Sequence, residues 1–531
     1  MTLPPRLLLL LALLLVIVLL GRRARPSNGG ATLPDWVLPA TVALVSAGLT
    51  AWIWGGLRAP AVIHDEVAYL LQADLLNHGT WKLPSPPVPQ AFEQAAVLVT
   101  PVLTPKMPPG HALALSPGLA AGLPGMIPLL LTGLTAALLV VLVRRVSSAG
   151  VALVTVAIWL TQAGQMRWRA SYMSQTTTGA LWLAGWWLLL RWRETRRTPW
   201  LVALAAVAGL GAVTRPLTML AWAIPVGIVV LGDVIRAQRW AALGAAIATG
   251  IGVLLLLPIQ NGATLGNWRA SPLALYTKQY LPFDRIGFGL DSTPPLLPPA
   301  PEFQRATAEF VARHREHTLQ ALPKIFAARA RVLLRQSFGQ WRAVLIPAAL
   351  LALALLPAAG WFALLSALML YLAYLLYAHE PQWSAYYYEM TPVVAFVSAL
   401  GLVWLLGKLA GQQRPALAFS GAAAIAILLA GSGDLAAARV ARAGEQAPFR
   451  HFAEAIRATG APHALVFVRY DPGADPHASF VRNVVDRDSA PVITARDLGP
   501  EVNARVAAAL PGRRLFLWDQ HSGRLTPLAA P

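Results

Sequence analysis

Cysteine is absent from the 531 residues, and charged residues make up only 13% of the chain. The lack of cysteine excludes disulfide bonds and thiolate metal sites, although it does not fix the compartment. Acidic residues are especially few, with 24 Asp and Glu against 43 Lys and Arg, so the formal net charge is +19. Because 56% of the residues are hydrophobic, the composition excludes an ordinary soluble domain and indicates a polytopic membrane protein.

Apolar segments of about 15 to 22 residues, the length that a bilayer requires, recur between short polar breaks. The first is followed by an arginine cluster and has no small-residue cleavage site before it, which predicts a retained helix rather than a signal peptide. The segments predict an all-α protein with about twelve transmembrane helices, near residues 7–20, 36–57, 122–143, 149–163, 177–192, 199–213, 216–232, 240–258, 343–358, 361–377, 391–407 and 415–431.

The basic residues are spread among the breaks between these segments rather than gathered on one face, which argues against a nucleic-acid partner. Clusters follow alternate segments, which the positive-inside rule explains if that side is the cytoplasm. We therefore predict a multi-pass protein of the plasma (inner) membrane, with its long loops facing the periplasm or exterior. The clusters lie at 22–25, 144–145, 191–197, 236–239 and 408–414.

Two units are predicted along the chain. Residues 1–432 form the transmembrane domain, with long outer loops at 58–110 and 259–342, and long loops are usually functional. Residues 433–531 form a small extracytoplasmic α/β domain, because "FRHFAEAIRATG" is typical of an amphipathic helix that ends at Gly460, while "HALVFVRYD" and "RRLFLWD" are typical of strands.

The stretch "AVIHDEVAYLLQADLLNHGTW", residues 61–81, has two adjacent acids, Asp65 and Glu66, where the second apolar helix leaves the lipid. A short amphipathic helix in the membrane interface is the predicted structure. The acids either carry chemistry or only begin this helix, where negative charge favours the helix macrodipole.

Two later motifs each contain one notable cation. Lys106 precedes Pro108–Gly110 in "TPKMPPGHALALSPG" and either pairs with an anionic headgroup or simply reaches the interface. Arg215, in "AVTRPLTML", is a lone outward arginine between two helices.

Two further motifs lie on the same predicted side. Arg167 and Arg169, in "QMRWRASYMSQTTTG", require a local anionic partner, because the positive-inside rule disfavours arginine there. Tyr386 and Tyr387, in "HEPQWSAYYYEMTP", either contact a substrate or belong to an interfacial aromatic belt.

The apolar segments contain almost no ionisable side chains, whereas an ion-coupled transporter normally needs some near the midplane. The chemistry is therefore expected at the outer interface, where Lys and Arg would hold the phosphate of a lipid substrate and a carboxylate would act as base. Two alternatives stay open: a polytopic transporter or lipid flippase, and a non-catalytic scaffold whose C-terminal part binds a partner.

The motif "HDEVAYLLQADLLNHG" resembles the first outer loop of GT-C membrane glycosyltransferases, especially glycosyltransferase family 39 and its bacterial relatives. These relatives include protein O-mannosyltransferases and the lipid A aminoarabinose transferase. "KMPPG" resembles the family's K-P-P element with one Met inserted, and "TRP" and "YYYEMTP" resemble later segments. The likeness covers residues 36–260 and 380–410, and the extra luminal domain of the eukaryotic O-mannosyltransferases is not found.

The resemblance implies a GT-C fold and transfer of a sugar from a polyprenyl-phosphate-linked donor to an envelope glycan, glycolipid or protein. It implies Asp65 as catalytic base, with Glu66 orienting Asp65, holding the acceptor or contributing to a metal site. Lys106 is the first candidate and Arg215 the second for the donor phosphate. No obligatory metal or other cofactor is predicted, although divalent metal use varies in the family. Further substrate contacts are expected from His64, Tyr69, Arg167, Arg169, Tyr386 and Tyr387, and from Arg269, Tyr276, Lys278 and Arg285 of the second outer loop.

Overall fold

The computed structural model describes residues 5–23, 34–412, 417–472, 475 and 477–529. The described part of the chain is mostly helical. Its first ten helices are α1 (Pro5–Arg23), α2 (Val37–Trp54), α3 (His64–Asn77), α4 (Pro109–Ala120), α5 (Met126–Val146), α6 (Ala149–Leu160), α7 (Ala163–Arg169), α8 (Gln175–Thr195), α9 (Thr198–Ala212) and α10 (Pro216–Ala237). The next ten are α11 (Trp240–Leu254), α12 (Leu256–Leu265), α13 (Pro272–Tyr280), α14 (Gln304–Glu316), α15 (Leu322–Phe338), α16 (Leu345–Ala352), α17 (Ala358–Tyr374), α18 (Thr391–Leu409), α19 (Leu417–Ala458) and α20 (Pro500–Ala509).

Short strands complete the elements. Three of them form a small antiparallel sheet in the first long loop, and four form a second sheet near the C-terminal end of the described chain. They are β1 (Leu83–Pro84), β2 (Val97–Leu98), β3 (Val102–Pro105), β4 (Ala464–Arg469), β5 (Val492–Arg496), β6 (Arg514–Asp519) and β7 (Arg524–Pro527).

The helices confirm a multi-pass membrane protein. Each of the twelve predicted apolar segments overlaps a helix, and outward-facing apolar side chains such as Leu44 and Ile228, 75% and 69% exposed, fit contact with lipid. Among the described residues, six helical stretches have the length and hydropathy to cross a bilayer: Val37–Trp54, Met126–Val146, Pro216–Ala237, Trp240–Leu265, Ser384–Leu409 and Leu417–Ala458. Four shorter apolar helices accompany them: Ala149–Leu160, Thr198–Ala212, Gln340–Ala352 and Ala358–Tyr374.

Helix α19 joins the bundle to the second sheet without a break. Its 42 residues give a length of about 63 Å at the α-helical rise. Its first half packs against α6 and α1, while Phe449 and Ile456 in its second half pack against the second sheet. The predicted domain boundary at 432/433 therefore falls inside one helix, not in a linker.

The second sheet has the strand order β5-β4-β6-β7, and only β7 is antiparallel to its neighbour. The central strand is buried on both faces, as parallel strands usually are. One face packs against α19, and the other packs against α20 and against Val88 and Phe92 of the first long loop. Strands lie at both predicted positions, and the loop at 58–110 covers part of this sheet.

Candidate functional site

The five motifs converge at one end of the bundle, which we call the loop end because it carries the long loops and the second sheet. Gly110 of "KMPPG" donates its backbone N–H to Val213 O at 2.8 Å, directly before "TRP". A Cβ at Gly110 would lie 2.9 Å from that oxygen and would also collide with the Thr214 hydroxyl. Glycine is therefore required for the close approach of these two segments.

Replacing Gly110 by Ala is expected to cost about 1–3 kcal/mol of unfolding free energy, the usual range for overpacking. The added methyl group would push α4 away from the start of α10, and with it Lys106 away from Arg215. Thermal unfolding of the purified protein checks this, with Gly48→Ala on α2 as control, because a Cβ at Gly48 would meet no atom within 4 Å. Equal stability of the two variants would contradict the predicted clash.

Glu66 is a buried anchor at the start of α3. Its carboxylate accepts the backbone N–H groups of Val62 at 2.7 Å, Ile63 at 3.0 Å and Tyr172 at 2.9 Å. It also accepts a hydrogen bond from Arg442 of α19 at 3.0 Å, with both side chains at most 2% exposed. The two carboxylate oxygens thus accept four hydrogen bonds, which is their full capacity. Because the donors come from different segments, Glu66 joins α3, the "RASYM" segment and α19.

Arg215 forms the second buried ion pair of the site. Its guanidinium donates to Glu389 Oε1 at 3.0 Å and to the Tyr374 hydroxyl at 3.2 Å. Thr178 also donates to Glu389, so this acid is neutralised as Glu66 is. The Tyr386 ring lies 6.0 Å from the Arg215 guanidinium carbon. The predicted "TRP" and "YYYEMTP" motifs are therefore in direct contact.

Asp65 differs from both buried acids. Its side chain is 32% exposed, and the one basic side chain within ion-pair distance of it in the described chain is His64, with Nε2 3.3 Å from Oδ1. Burial raises the pKa of Tyr69 to about 12, and the neighbouring Asp65 carboxylate adds to the rise. Tyr69 lies one helical turn after Asp65, so both point to the same face of α3.

Lys106 lies beside Tyr276 of the second long loop, with Nζ 4.6 Å from the ring centroid. No carboxylate of the described residues lies within ion-pair distance of this ammonium group. Burial raises the pKa of Tyr276, while Lys106 lowers it and Asp65 raises it. The charges of Lys106 and Asp65 therefore both act on the Tyr276 hydroxyl group, in opposite directions.

His64 connects Asp65 to the C-terminal part of the chain. Its Nδ1 lies 3.2 Å from His477 Nδ1, and its backbone N–H donates to His477 O at 3.1 Å. The two rings stack with centroids 4.9 Å apart. Burial lowers the pKa of His64 from 6.5 to about 4, despite the opposing effect of Asp65. His64 is therefore neutral at neutral pH and leaves the charge of Asp65 uncompensated.

The pKa of His64 predicts a loss of stability in mild acid. His64 binds a proton below about pH 6.5 in the unfolded chain, but only near pH 4 in the folded chain. The stability that a neutral His64 contributes is therefore complete above pH 6.5 and is lost as the pH falls towards 4. The loss reaches about 2 kcal/mol by pH 5. A His64→Gln variant should lose less stability than wild type between pH 7 and pH 5, measured by thermal unfolding. His463→Gln, at an exposed position just before β4, is the control and should follow wild type.

Three of the predicted substrate contacts have other partners in the structure. Arg167 is half-exposed and pairs with Glu445 at 3.1 Å. Arg169 is buried and donates to the last carbonyl groups of α6, with no carboxylate of the described chain within ion-pair distance. Tyr387 is buried behind Tyr386, with its hydroxyl 3.0 Å from His379 Nε2. These three side chains therefore have partners within the protein, and their contact with a substrate stays a prediction.

Sequence reasoning missed Tyr374, Glu389, Arg442 and His477. Tyr374 and Arg442 lie in long helices where nothing marks them, and Glu389 is hidden among tyrosines and aliphatic residues. His477 is more than 400 positions from His64. Among the described residues, no group of three or more metal-ligating side chains is present, and the prediction of no obligatory metal stays a prediction.

No protein-family model and no curated protein match the chain. Solved structures that are similar to it include ArnT from Cupriavidus metallidurans bound to undecaprenyl phosphate, and ArnT from the same organism in the apo state. The first is 14% identical over 82% of this chain and 83% of that chain, with a TM-score of 0.49. The second is 15% identical over 82% of each chain, with a TM-score of 0.46. At this identity and TM-score the likeness assigns no activity, ligand or residue role to this chain.

Proposed function

We propose that this protein is a membrane glycosyltransferase that moves a sugar from a polyprenyl-phosphate-linked donor to an extracytoplasmic acceptor, with Asp65 as catalytic base. The acceptor is a glycan, a glycolipid or a protein. One observation carries the proposal. Glu66 and Glu389 are each neutralised by a buried arginine, whereas Asp65 is partly exposed beside a neutral histidine. A free carboxylate is what proton abstraction from a hydroxyl requires.

The proposed reaction is a single displacement at the anomeric carbon. Asp65 takes the proton of the acceptor hydroxyl group while the hydroxyl oxygen forms a bond to the anomeric carbon. At the same time, the bond between that carbon and the phosphate oxygen breaks. Polyprenyl phosphate leaves with the bonding electron pair, so negative charge grows on its oxygen. Lys106 is the candidate to stabilise this charge, because it has no carboxylate partner among the described residues.

The remaining residues have supporting roles in the proposal. Glu66 fixes the start of α3 and thereby the direction of Asp65. Arg215 is held by Glu389, so a donor phosphate would have to compete with a carboxylate, and Arg215 stays the second candidate for phosphate binding. Tyr69, Tyr386 and Tyr276 offer hydroxyl groups to the sugar or the phosphate.

The membrane arrangement is part of the proposal. We propose about twelve spans in the plasma (inner) membrane, and a small extracytoplasmic α/β domain from residue 433 onwards. The site then faces the periplasm or exterior, because the arginine clusters after α5 and α8 lie at the opposite end of the bundle from α3.

The test uses purified protein in liposomes with a panel of radiolabelled sugars linked to undecaprenyl phosphate, and native membrane extract as acceptor. A new labelled product with a glycosidic bond supports the proposal, and chelator in parallel samples tests the need for a metal. Movement of the labelled lipid between leaflets without a new bond would favour a flippase and overturn it.

Replacing Lys106 by Met is expected to lower transfer by about 10²-fold, the lower range for loss of one group that stabilises developing charge. The loss should fall on kcat/KM, and Lys106→Arg should restore part of it because the positive charge returns. Initial rates over a range of donor concentrations give kcat and KM for each variant. Lys82→Met is the matched control, since this lysine already donates a hydrogen bond to Thr264 O at 3.0 Å.

A further inference from the structure

Helix α15 has two faces of different character. On its inner face, Arg329 is buried and donates to Tyr374 O at 2.6 Å, Tyr377 O at 2.8 Å and His379 O at 3.1 Å. These carbonyl groups lie at and just beyond the end of α17, where a cation complements the helix macrodipole. The inner face is thus fixed to the segment that carries Tyr374 of the site.

The outer face of α15 carries a basic stripe. Lys324, Arg331 and Arg335 are seven and four residues apart, which places them along one side of the helix. All three are exposed, and none has a carboxylate or hydrogen-bond partner among the described residues. By contrast, Arg313 of the preceding helix pairs with Glu380. The positive charge of this stripe is therefore not neutralised by any side chain of the described residues.

Two observations put this face at the membrane surface. Helix α15 is followed directly by the apolar stretch Gln340–Ala352 and, through Arg329, holds the end of the apolar helix Ala358–Tyr374. It also exposes one large apolar side chain beside the stripe, Leu334 at 58%, and a second, Phe326 at 42%, farther round the helix. A helix with basic and apolar residues on its outer surface lies in the headgroup plane of a bilayer.

We propose that Lys324, Arg331 and Arg335 form a binding surface for anionic glycerophospholipids of the leaflet at the loop end. The phosphate groups supply the negative charge that the stripe lacks, and Leu334 and Phe326 contact the acyl chains. Because the inner face of α15 holds the segment with Tyr374, bound lipid also stabilises one wall of the site. The proposal is independent of sugar transfer.

The experiment is a lipid titration of the purified full-length protein in detergent, followed by thermal unfolding, with phosphatidylglycerol and phosphatidylcholine as probes. Wild type is expected to bind phosphatidylglycerol at least tenfold more tightly. The variant K324Q/R331Q/R335Q should lose this preference, since each basic side chain contributes about fivefold. The variant K324R/R331K/R335K should keep it.

The control R505Q/R514Q/R524Q removes the same charge from exposed positions in and beside the second sheet and should bind as wild type does. Unchanged selectivity of the K324Q/R331Q/R335Q variant, or an equal loss in the control, would overturn the proposal. If the triple variant is unfolded in the absence of lipid, the single variant Arg331→Gln is used instead. Its affinity for phosphatidylglycerol is expected to fall about fivefold.

Discussion

Replacing Asp65 by Asn is expected to lower sugar transfer by about 10²–10⁴-fold, the range for loss of a general base. The amide has nearly the same shape and can still contact His64, but it cannot accept the hydroxyl proton. The start of α3 should remain in place, because Glu66 and not Asp65 accepts the backbone N–H groups there. Initial rates at saturating donor, with thermal unfolding of the same samples, measure both effects.

Asp74→Asn is the matched control for this variant. Asp74 lies on the same helix, is 39% exposed and also lies beside a histidine, His78, at 3.4 Å. It should transfer at the wild-type rate. Equal rates for the Asp65 and Asp74 variants would remove Asp65 as the base and leave Glu66 as the next carboxylate to test.

Replacing Arg442 by Met is expected to destabilise the protein by about 3–5 kcal/mol, the range for leaving one charge of a buried pair without its partner. Glu66 would keep its three backbone hydrogen bonds but lose its counter-charge at a position with 0% exposure. The measurement is the unfolding free energy in detergent, by denaturant or heat.

Arg439→Met, on the exposed side of the same helix, is the control and should cost less than about 1 kcal/mol, since its contact is with the Trp52 ring. Adding Glu66→Gln to the Arg442 variant completes a double-mutant cycle. We expect the double variant to lose less than the sum of the two single losses, because the two side chains are in contact. Additive losses would exclude the ion pair as the source of the effect.

The membrane helices and several residues of the candidate site could be identified in the sequence because both depend on local features, and the roles of these residues stay predictions. A bilayer sets the length of each apolar segment, and charged or aromatic residues at its ends are visible without any tertiary information. Asp65, Lys106, Arg215 and Tyr386 were identified in this way, and the structure brings all four to the loop end.

The partners of these residues depend on contacts between distant parts of the chain. Glu389 is 174 positions from Arg215, and neither residue indicates the other. The continuity of α19 was also missed, because Pro448 and the polar residues before it are typical of a helix end. The helix continues through Pro448, where packing of Phe449 against the second sheet supports it.

Because α19 is one unbroken helix, it fixes the spacing between the groups that pack along it. Inserting one residue into an α-helix advances everything beyond it by 1.5 Å and turns it by about 100°. Arg442 of this helix contacts Glu66. Farther along, the same helix packs against the second sheet, and His477, which follows β4, contacts His64. An insertion before Arg442 would therefore either turn this side chain away from Glu66 or, after a whole turn, displace it by about 5.4 Å, so the contact with Glu66 fixes the length of α19.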